Sequence, residues 1–165
     1  DMNRAREWFG RAAELGEPRA QFGMGLMSER GEGAPVDLAA ALDWYRKSSA
    51  QNNASAMNNL ANMFASGRGV ARNDQAAFVL FERAVGLNNA TAMNNLGRWY
   101  REGRHVTRDD GRAVDLFRRA VRLGSREAMN NLAFMYEQGR GVARDPAEAA
   151  RLYRRAAGLE DERGS

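Results

Sequence analysis

Pairs of asparagine residues recur in this sequence at a fixed interval, and their side chains suit the recognition of a polypeptide backbone. The segment AMNNL occupies residues 56–60, 92–96 and 128–132, so each copy begins 36 residues after the one before. A carboxamide carries two N–H donors and an oxygen acceptor. Carboxamides at a regular spacing can therefore satisfy the N–H and C=O groups of an extended peptide without requiring one particular peptide sequence.

A second periodic set consists of arginines, whose planar guanidinium groups bind carboxylates and phosphates. Its members are Arg68, Arg72, Arg104, Arg108, Arg140 and Arg144. A row of this kind predicts, as an alternative function, an arm that binds a polyanion. Base-stacking aromatic residues are not interleaved with it, however, and Asp109, Asp110 and Asp145 lie alongside it in the sequence. These features favour local ion pairs and make nucleic acid an unlikely partner.

The residue types give little support for catalytic or metal chemistry. His105 is the only histidine and the chain has no cysteine, so several nitrogen or sulfur ligands cannot converge on a metal ion. The sequence contains no motif typical of a hydrolase nucleophile, a zinc protease or a phosphate-binding loop. We therefore expect no enzymatic activity, no cofactor and no metal site, and we interpret His105 as a tolerated loop substitution.

The composition is that of a folded protein with an excess of basic residues. Hydrophobic residues make up 44% of the 165 residues, and the formal net charge is +4. No apolar run is long enough to span a membrane, so we expect no membrane insertion of this segment. The first ten residues are charged and do not resemble a signal peptide. The sequence leaves the compartment open, with the bacterial periplasm and the cytoplasm both possible.

The period of 36 residues also predicts the elements that position these side chains. Each period contains two apolar patterns with helical spacing. The residues that share a face are Met57, Leu60, Ala61 and Phe64 in the first predicted helix, and Ala77, Leu80, Phe81 and Ala84 in the second. Residues suited to cap the start of the second helix are Asp37, Asn73, Asp109 and Asp145, and residues suited to a left-handed end are Gly16, Asn52, Asn88 and Gly124.

A pair of helices cannot bury both of its apolar faces, so neighbouring pairs must stack into an α/α solenoid. The period divides the chain into a half repeat at 1–16, four repeats at 17–52, 53–88, 89–124 and 125–159, and a polar tail at 160–165 that we expect to fray. Trp8 and Phe9 align with Trp44 and Tyr45, which should be interior residues of the array. We therefore expect the chain to be part of a larger protein or to self-associate through exposed ends of the solenoid.

The segments AMNNLANMFASGRGVARNDQAAFVLFERAVGLNN and AMNNLAFMYEQGRGVARDPAEAARLYRRAA carry a recognisable pattern. They resemble the Sel1-like repeat, a relative of the tetratricopeptide repeat, over about residues 1–159. The resemblance implies an all-α, right-handed α/α solenoid of bacterial origin that acts as an adaptor or regulatory scaffold for protein–protein interaction. A disulfide-rich branch of the family has been linked to β-lactam binding or hydrolysis, but its cysteines are absent from this sequence.

The resemblance also implies that the first helices of the repeats line a concave groove that holds a peptide or a surface element of a partner. The residues expected in that groove are Phe22, Leu26, Asn58, Asn59, Asn62, Asn94, Asn95, Arg98, Arg101, Asn130, Asn131 and Phe134. Arg98 and Arg101 place two positive charges on one predicted first helix. A partner with an acidic residue facing them should therefore fit the groove. The alternative is that the asparagines bridge adjacent first helices through hydrogen bonds and contact no ligand.

Overall fold

The computed structural model describes residues 2–159, without the side chains of residues 2 and 3, and the predicted polar tail at 160–165 lies outside the described residues. Within that range every regular element is an α-helix. The chain divides into two compact units, Asp1–Asn88 and Asn89–Ser165. None of the described helices is both long enough and apolar enough to cross a membrane.

The helices alternate between the first and the second position of each repeat. The first unit contains α1 (Met2–Glu14), α2 (Pro18–Arg30), α3 (Leu38–Ala50), α4 (Ala54–Ser66) and α5 (Asp74–Gly86). The second unit contains α6 (Ala90–Glu102), α7 (Asp110–Arg122), α8 (Arg126–Gln138) and α9 (Pro146–Ala156). The first helices of the repeats are α2, α4, α6 and α8. Consecutive helices pack against each other within each unit, and α6 also contacts α8. This is the stacked helix-pair arrangement that the period predicts.

Short-range chemistry sets the helix ends. The predicted caps of the second helices are confirmed; for example, the Asp109 side chain accepts a hydrogen bond from the Arg112 backbone amide. The left-handed ends are confirmed as well, since φ is +61° at Asn52 and +58° at Asn88. The first helices also carry N-caps, which were not predicted from the sequence. They are Glu17, Asn53, Asn89 and Ser125.

The core lies between the helix layers of each unit. Tyr45, Phe81 and Phe117 occupy one repeat position and are at most 1% exposed. At the same repeat position, Phe9 is 45% exposed and Tyr153 is 38% exposed, because fewer helices cover them. The small residues predicted on the first helices allow the close approach: a Cβ atom added to Gly97 would lie only 2.6 Å from the Phe117 ring.

Candidate functional site

The first asparagines of the AMNNL pairs differ in exposure. Asn58 is 4% exposed and Asn94 is 6% exposed, whereas Asn130 is exposed. A side chain that recognises a ligand must be reachable, so the burial of Asn58 and Asn94 speaks against the ligand role expected for them. Their carboxamides bond within the protein: Asn58 Nδ2 donates to Asn59 Oδ1 at 3.3 Å, and Asn94 Oδ1 accepts from Asn131 Nδ2 at 2.7 Å.

In the second unit the asparagines connect α6 to α8 and hold an arginine in place. Asn131 on α8 bonds to Asn94 on α6 through its amide nitrogen, and its oxygen accepts from Arg101 Nη1 at 2.9 Å. The second guanidinium nitrogen of Arg101 donates to Glu102 at 3.0 Å. The Arg101 side chain is consequently only 19% exposed. This geometry matches the alternative in which asparagines bridge first helices. It also holds the positively charged guanidinium of Arg101 in one orientation.

An aromatic ring lies close to two of the basic groups of this unit. The guanidinium carbons of Arg101 and Arg140 lie 5.7 and 5.9 Å from the centroid of the Phe134 ring. Attraction between a cation and the face of a ring contributes about 0.5–1 kcal/mol at exposed sites. Arg98 lies on the same helix as Arg101 and is half exposed, with its Nε 3.7 Å from Glu102. We call Arg98, Arg101, Asn131 and Phe134 the α6–α8 surface.

Arg140 also belongs to an ion-pair network with Asp110 and Arg108. It makes two hydrogen bonds to the Asp110 carboxylate, at 3.1 and 2.8 Å, and a third to the backbone oxygen of Arg101 at 3.1 Å. Arg108 binds the same carboxylate at 2.7 Å. Hydrogen bonds from Arg140, which has the larger effect, and from Arg108 lower the pKa of Asp110 to about 2. Arg140 is therefore held in place by the protein, and Asp110 stays ionised at neutral pH.

In the first unit a chain of hydrogen bonds ends on a carboxylate. The Tyr45 hydroxyl donates to Glu29 Oε2 at 2.6 Å and accepts from Asn59 Nδ2 at 3.1 Å. Arg68 Nη1 donates to the other oxygen, Glu29 Oε1, at 2.7 Å. Burial, together with the bond to Glu29, raises the pKa of Tyr45, so its hydroxyl remains a donor. This pairing was not predicted from the sequence.

A pocket of about 110 Å³ opens beside this chain of bonds, between α2 and α4. We call it the α2–α4 pocket; its lining residues are Glu29, Asn59, Asn62, Met63, Ser66 and Arg68. Phe134 occupies the repeat position of Asn62 in the second unit, and there its half-buried ring lies close to Arg101 and Arg140. The exposed Asn62 is smaller than phenylalanine. The same repeat position therefore carries a large aromatic ring in the second unit and borders the polar α2–α4 pocket in the first.

The other predicted groove residues are placed as follows. Phe22 and Leu26 are half-buried and pack against the core cluster that contains Tyr45, and the rings of Phe22 and Tyr45 lie 5.9 Å apart. They contribute mainly to packing. Asn95 is half-buried on α6. A binding role for these residues stays a prediction.

We expect Tyr45→Phe to destabilise the first unit by about 1–2 kcal/mol, because it removes the buried hydroxyl that donates to Glu29 and accepts from Asn59. Repeats with phenylalanine at this position lack the glutamate, so adding Glu29→Ala should recover part of the loss. Urea unfolding measures both. The matched control is Tyr153→Phe, since that hydroxyl bonds weakly to Glu137 at 3.5 Å and is partly exposed; its cost should stay within about 0.5 kcal/mol. Equal costs at both tyrosines would contradict the prediction.

The loop arginines have partners inside the protein. Arg72 binds Asp74 at 2.7 Å, Arg108 and Arg140 bind Asp110, and Arg144 donates to the backbone oxygen of Glu137 at 3.0 Å. The guanidinium carbon of Arg104 lies 4.5 Å from the centroid of the Trp99 ring. These contacts within the protein engage the guanidinium groups of the row, and so the geometry does not favour a polyanion-binding arm.

Among residues 2–159 the structure contains no group of acidic residues and histidine that could hold a metal ion. His105 lies in a loop with φ of +64°, at the repeat position where the neighbouring loops have Gly69 and Gly141. The centroid of its ring lies 6.5 Å from the centroid of the Trp99 ring. The arrangement around His105 is that of a loop residue packed on an aromatic neighbour.

Stacked helix pairs with a constant period and glycine-rich loops define the chain as an all-α repeat protein of the solenoid class. The family model for the Sel1 repeat matches residues 1–17, 18–53, 54–89, 90–125 and 126–161. The chain therefore belongs to the Sel1 repeat family. Proteins of this family are generally scaffolds for protein–protein interaction, and their fold is typically non-enzymatic.

Solved structures of relatives support this assignment. A Sel1 repeat protein from Oxalobacter formigenes is 31% identical, with a TM-score of 0.89 over 98% of this chain. The protective antigen c5321 of uropathogenic Escherichia coli, which has the same fold, is 35% identical, with a TM-score of 0.86 over 96% of this chain. The chain spans 66% and 34% of the lengths of these two proteins. The immunity protein Pa5087 from Pseudomonas aeruginosa, at 21% identity, shares the fold, with a TM-score of 0.71 over 96% of this chain and 58% of its own. No curated protein matches the sequence.

Proposed function

We propose that this chain is an adaptor module that binds a segment of a partner protein on its first helices, and that the α6–α8 surface binds an acidic part of that segment. The observation that carries the proposal is the fixed position of Arg101 beside Phe134. Asn131 and Glu102 hold the guanidinium, so little side-chain freedom is lost when a ligand binds. A ring and a guanidinium side by side offer both apolar contact and an ion pair.

The distribution of charge supports an acidic partner for this unit. Residues 89–165 contain 15 of the 25 basic residues and 11 of the 21 acidic residues, so they account for the entire net charge of +4. Residues 1–88 are formally neutral. A net positive unit accelerates the approach of an acidic segment and disfavours a basic one. The asparagine amides that face solvent, such as Asn130, supply further donors for a peptide backbone.

The test is selection of peptides from a random display library, followed by titration calorimetry of the selected peptides. We expect acidic peptides to be selected, and Arg98→Glu with Arg101→Glu to weaken their binding by roughly tenfold or more. Because Arg101 is partly buried, the single change Arg98→Glu at a half-exposed residue serves as a second variant, and thermal melting checks that each variant folds.

The matched control is Arg122→Glu with Arg126→Glu, which changes the net charge by the same amount at exposed positions outside the α6–α8 surface. This control should retain most of the affinity. Equal losses in both pairs would show that only the overall charge matters, and unchanged affinity in the first pair would refute the proposed surface. A steep fall in affinity with salt for DNA or heparin would instead support the alternative, a polyanion-binding arm.

A further inference from the structure

The α2–α4 pocket presents a carboxylate that the protein holds in one orientation. Glu29 receives a hydrogen bond of 2.6 Å from the Tyr45 hydroxyl, and Tyr45 is fully buried. Asn59 in turn bonds to that hydroxyl at 3.1 Å and so limits its rotation. The Glu29 side chain is 19% exposed, which leaves it reachable from the pocket. A charged acceptor fixed in this way binds a donor with little loss of its own freedom.

The counter-ion of this carboxylate is loosely held. Arg68 contacts Glu29 through Nη1, and its side chain is 51% exposed. Ion pairs of this exposure contribute little to stability, so an external cation can compete with Arg68 at small cost. The comparison with Arg140, at the same repeat position in the second unit, is informative. Arg140 is 27% exposed and makes three hydrogen bonds, two of them to one carboxylate.

We propose that the α2–α4 pocket binds the cationic side chain of an arginine or lysine in the partner segment, and that this side chain displaces Arg68 from Glu29. The pocket's volume of about 110 Å³ provides room between Asn62, Ser66 and Glu29. Met63 offers an apolar contact for the methylene groups of the incoming side chain, and the polar groups of Asn62 and Ser66 border the charged end. The proposal rests on the proposed function, because it takes the ligand to belong to a bound partner.

The inference deepens the proposed function by giving the two units opposite preferences. Glu29 and Arg101 occupy the same position in the first full repeat of each unit, where one side chain is negative and the other positive; Glu137 occupies that position in the next repeat of the second unit. The ligand of the first unit is a basic side chain, and that of the α6–α8 surface is an acidic segment.

The probe is N-acetyl-arginine amide, titrated into the full chain and followed by the NMR signals of the side-chain amides of Asn59 and Asn62. N-acetyl-lysine amide should bind at the same pocket. N-acetyl-citrulline amide, which has nearly the shape of the arginine compound but no charge, should bind at least tenfold more weakly.

Glu29→Gln keeps an acceptor for Tyr45 and removes the charge, and it should abolish the shifts of the Asn59 and Asn62 signals. Asn62→Phe, which introduces the side chain found at Phe134, should fill the pocket and abolish them as well.

The decisive variant is Arg68→Ala, which removes the internal competitor and should strengthen binding of N-acetyl-arginine amide about twofold to fivefold. Arg72→Ala is the matched control, because Arg72 pairs with Asp74 and does not line the pocket; it should leave the affinity unchanged. Weaker binding in Arg68→Ala, equal binding of citrulline and arginine, or a preference for N-acetyl-glutamate amide would each overturn the proposal. The probe contains no partner segment, so its failure alongside intact capture of acidic peptides would refute the pocket and leave the proposed function standing.

Discussion

Replacing Gly141 by alanine should destabilise the second unit by about 3 kcal/mol or more, measured by urea unfolding. Gly141 has φ of +66°, which costs a residue with a side chain about 1 kcal/mol. The larger part of the effect comes from space. A Cβ atom at Gly141 would overlap the carbonyl group of Asp110 and would lie 2.8 Å from the backbone nitrogen of Gly111. Both neighbours are backbone atoms at the start of α7, so no side-chain rotation relieves the contact.

Gly124→Ala is the matched control for that substitution. Gly124 has φ of +83°, and a Cβ atom there would meet nothing within 4 Å. Its replacement should therefore cost only the backbone strain, about 1 kcal/mol. At the repeat position of Gly141, His105 adopts φ of +64°, so a side chain is tolerated there in another repeat. If Gly141→Ala and Gly124→Ala cost the same, the contact with Asp110 does not restrict the loop.

The local structure of this chain was predictable because caps and turns depend on residues close in sequence. Asp109 accepts from the amide three residues later, and Asn88 needs only its own tolerance of a positive φ to end α5. The period repeats each of these signals several times, so a single ambiguous residue does not obscure the pattern. The same period identifies the aromatic position of Phe81 and Phe117 as core.

The burial of individual asparagines was not predictable in this way. A helical wheel gives the direction of a side chain relative to its own helix, and on that basis Asn58, Asn94 and Asn130 are equivalent. Whether such a side chain is covered depends on the neighbouring helix. Asn94 is bonded by Asn131, which lies 37 residues away, whereas Asn130 is exposed. One sequence position is therefore buried in two of its copies and exposed in the third.

The charged contacts of the candidate sites left a weak trace in the sequence. Glu29 pairs with Tyr45 and Glu137 with Tyr153, both 16 residues apart, while the repeats with phenylalanine at that position lack the glutamate. Comparing the repeats for such joint changes would have revealed the hydrogen bond. The α2–α4 pocket could not be predicted from the sequence. It depends on the space that neighbouring side chains leave beside Asn62, and residue types alone do not indicate that space.

Phe117→Ala should reduce the stability of the second unit by about 3–5 kcal/mol, because it removes a fully buried ring from the centre of the unit. The loss should fall in the upper part of that range. A Cβ atom on Gly97 would lie 2.6 Å from the ring, so the ring packs on helix backbone at that point. Gly97 has no side chain that could turn into the cavity, and cavities that neighbouring groups cannot fill carry the largest cost. Urea unfolding gives the magnitude.

The matched control is Phe9→Ala, which makes the same change at the same repeat position in a residue that is 45% exposed. It should cost about 1 kcal/mol, since much of that ring is in water already. Hydrogen exchange adds the location: in the Phe117→Ala protein, protection should fall in α6, α7 and α8, which pack against one another. Nearest-neighbour packing is what stabilises a repeat protein, so a loss at Phe117 that matched the loss at Phe9 would contradict the central role of the Phe117 ring in the core of the second unit.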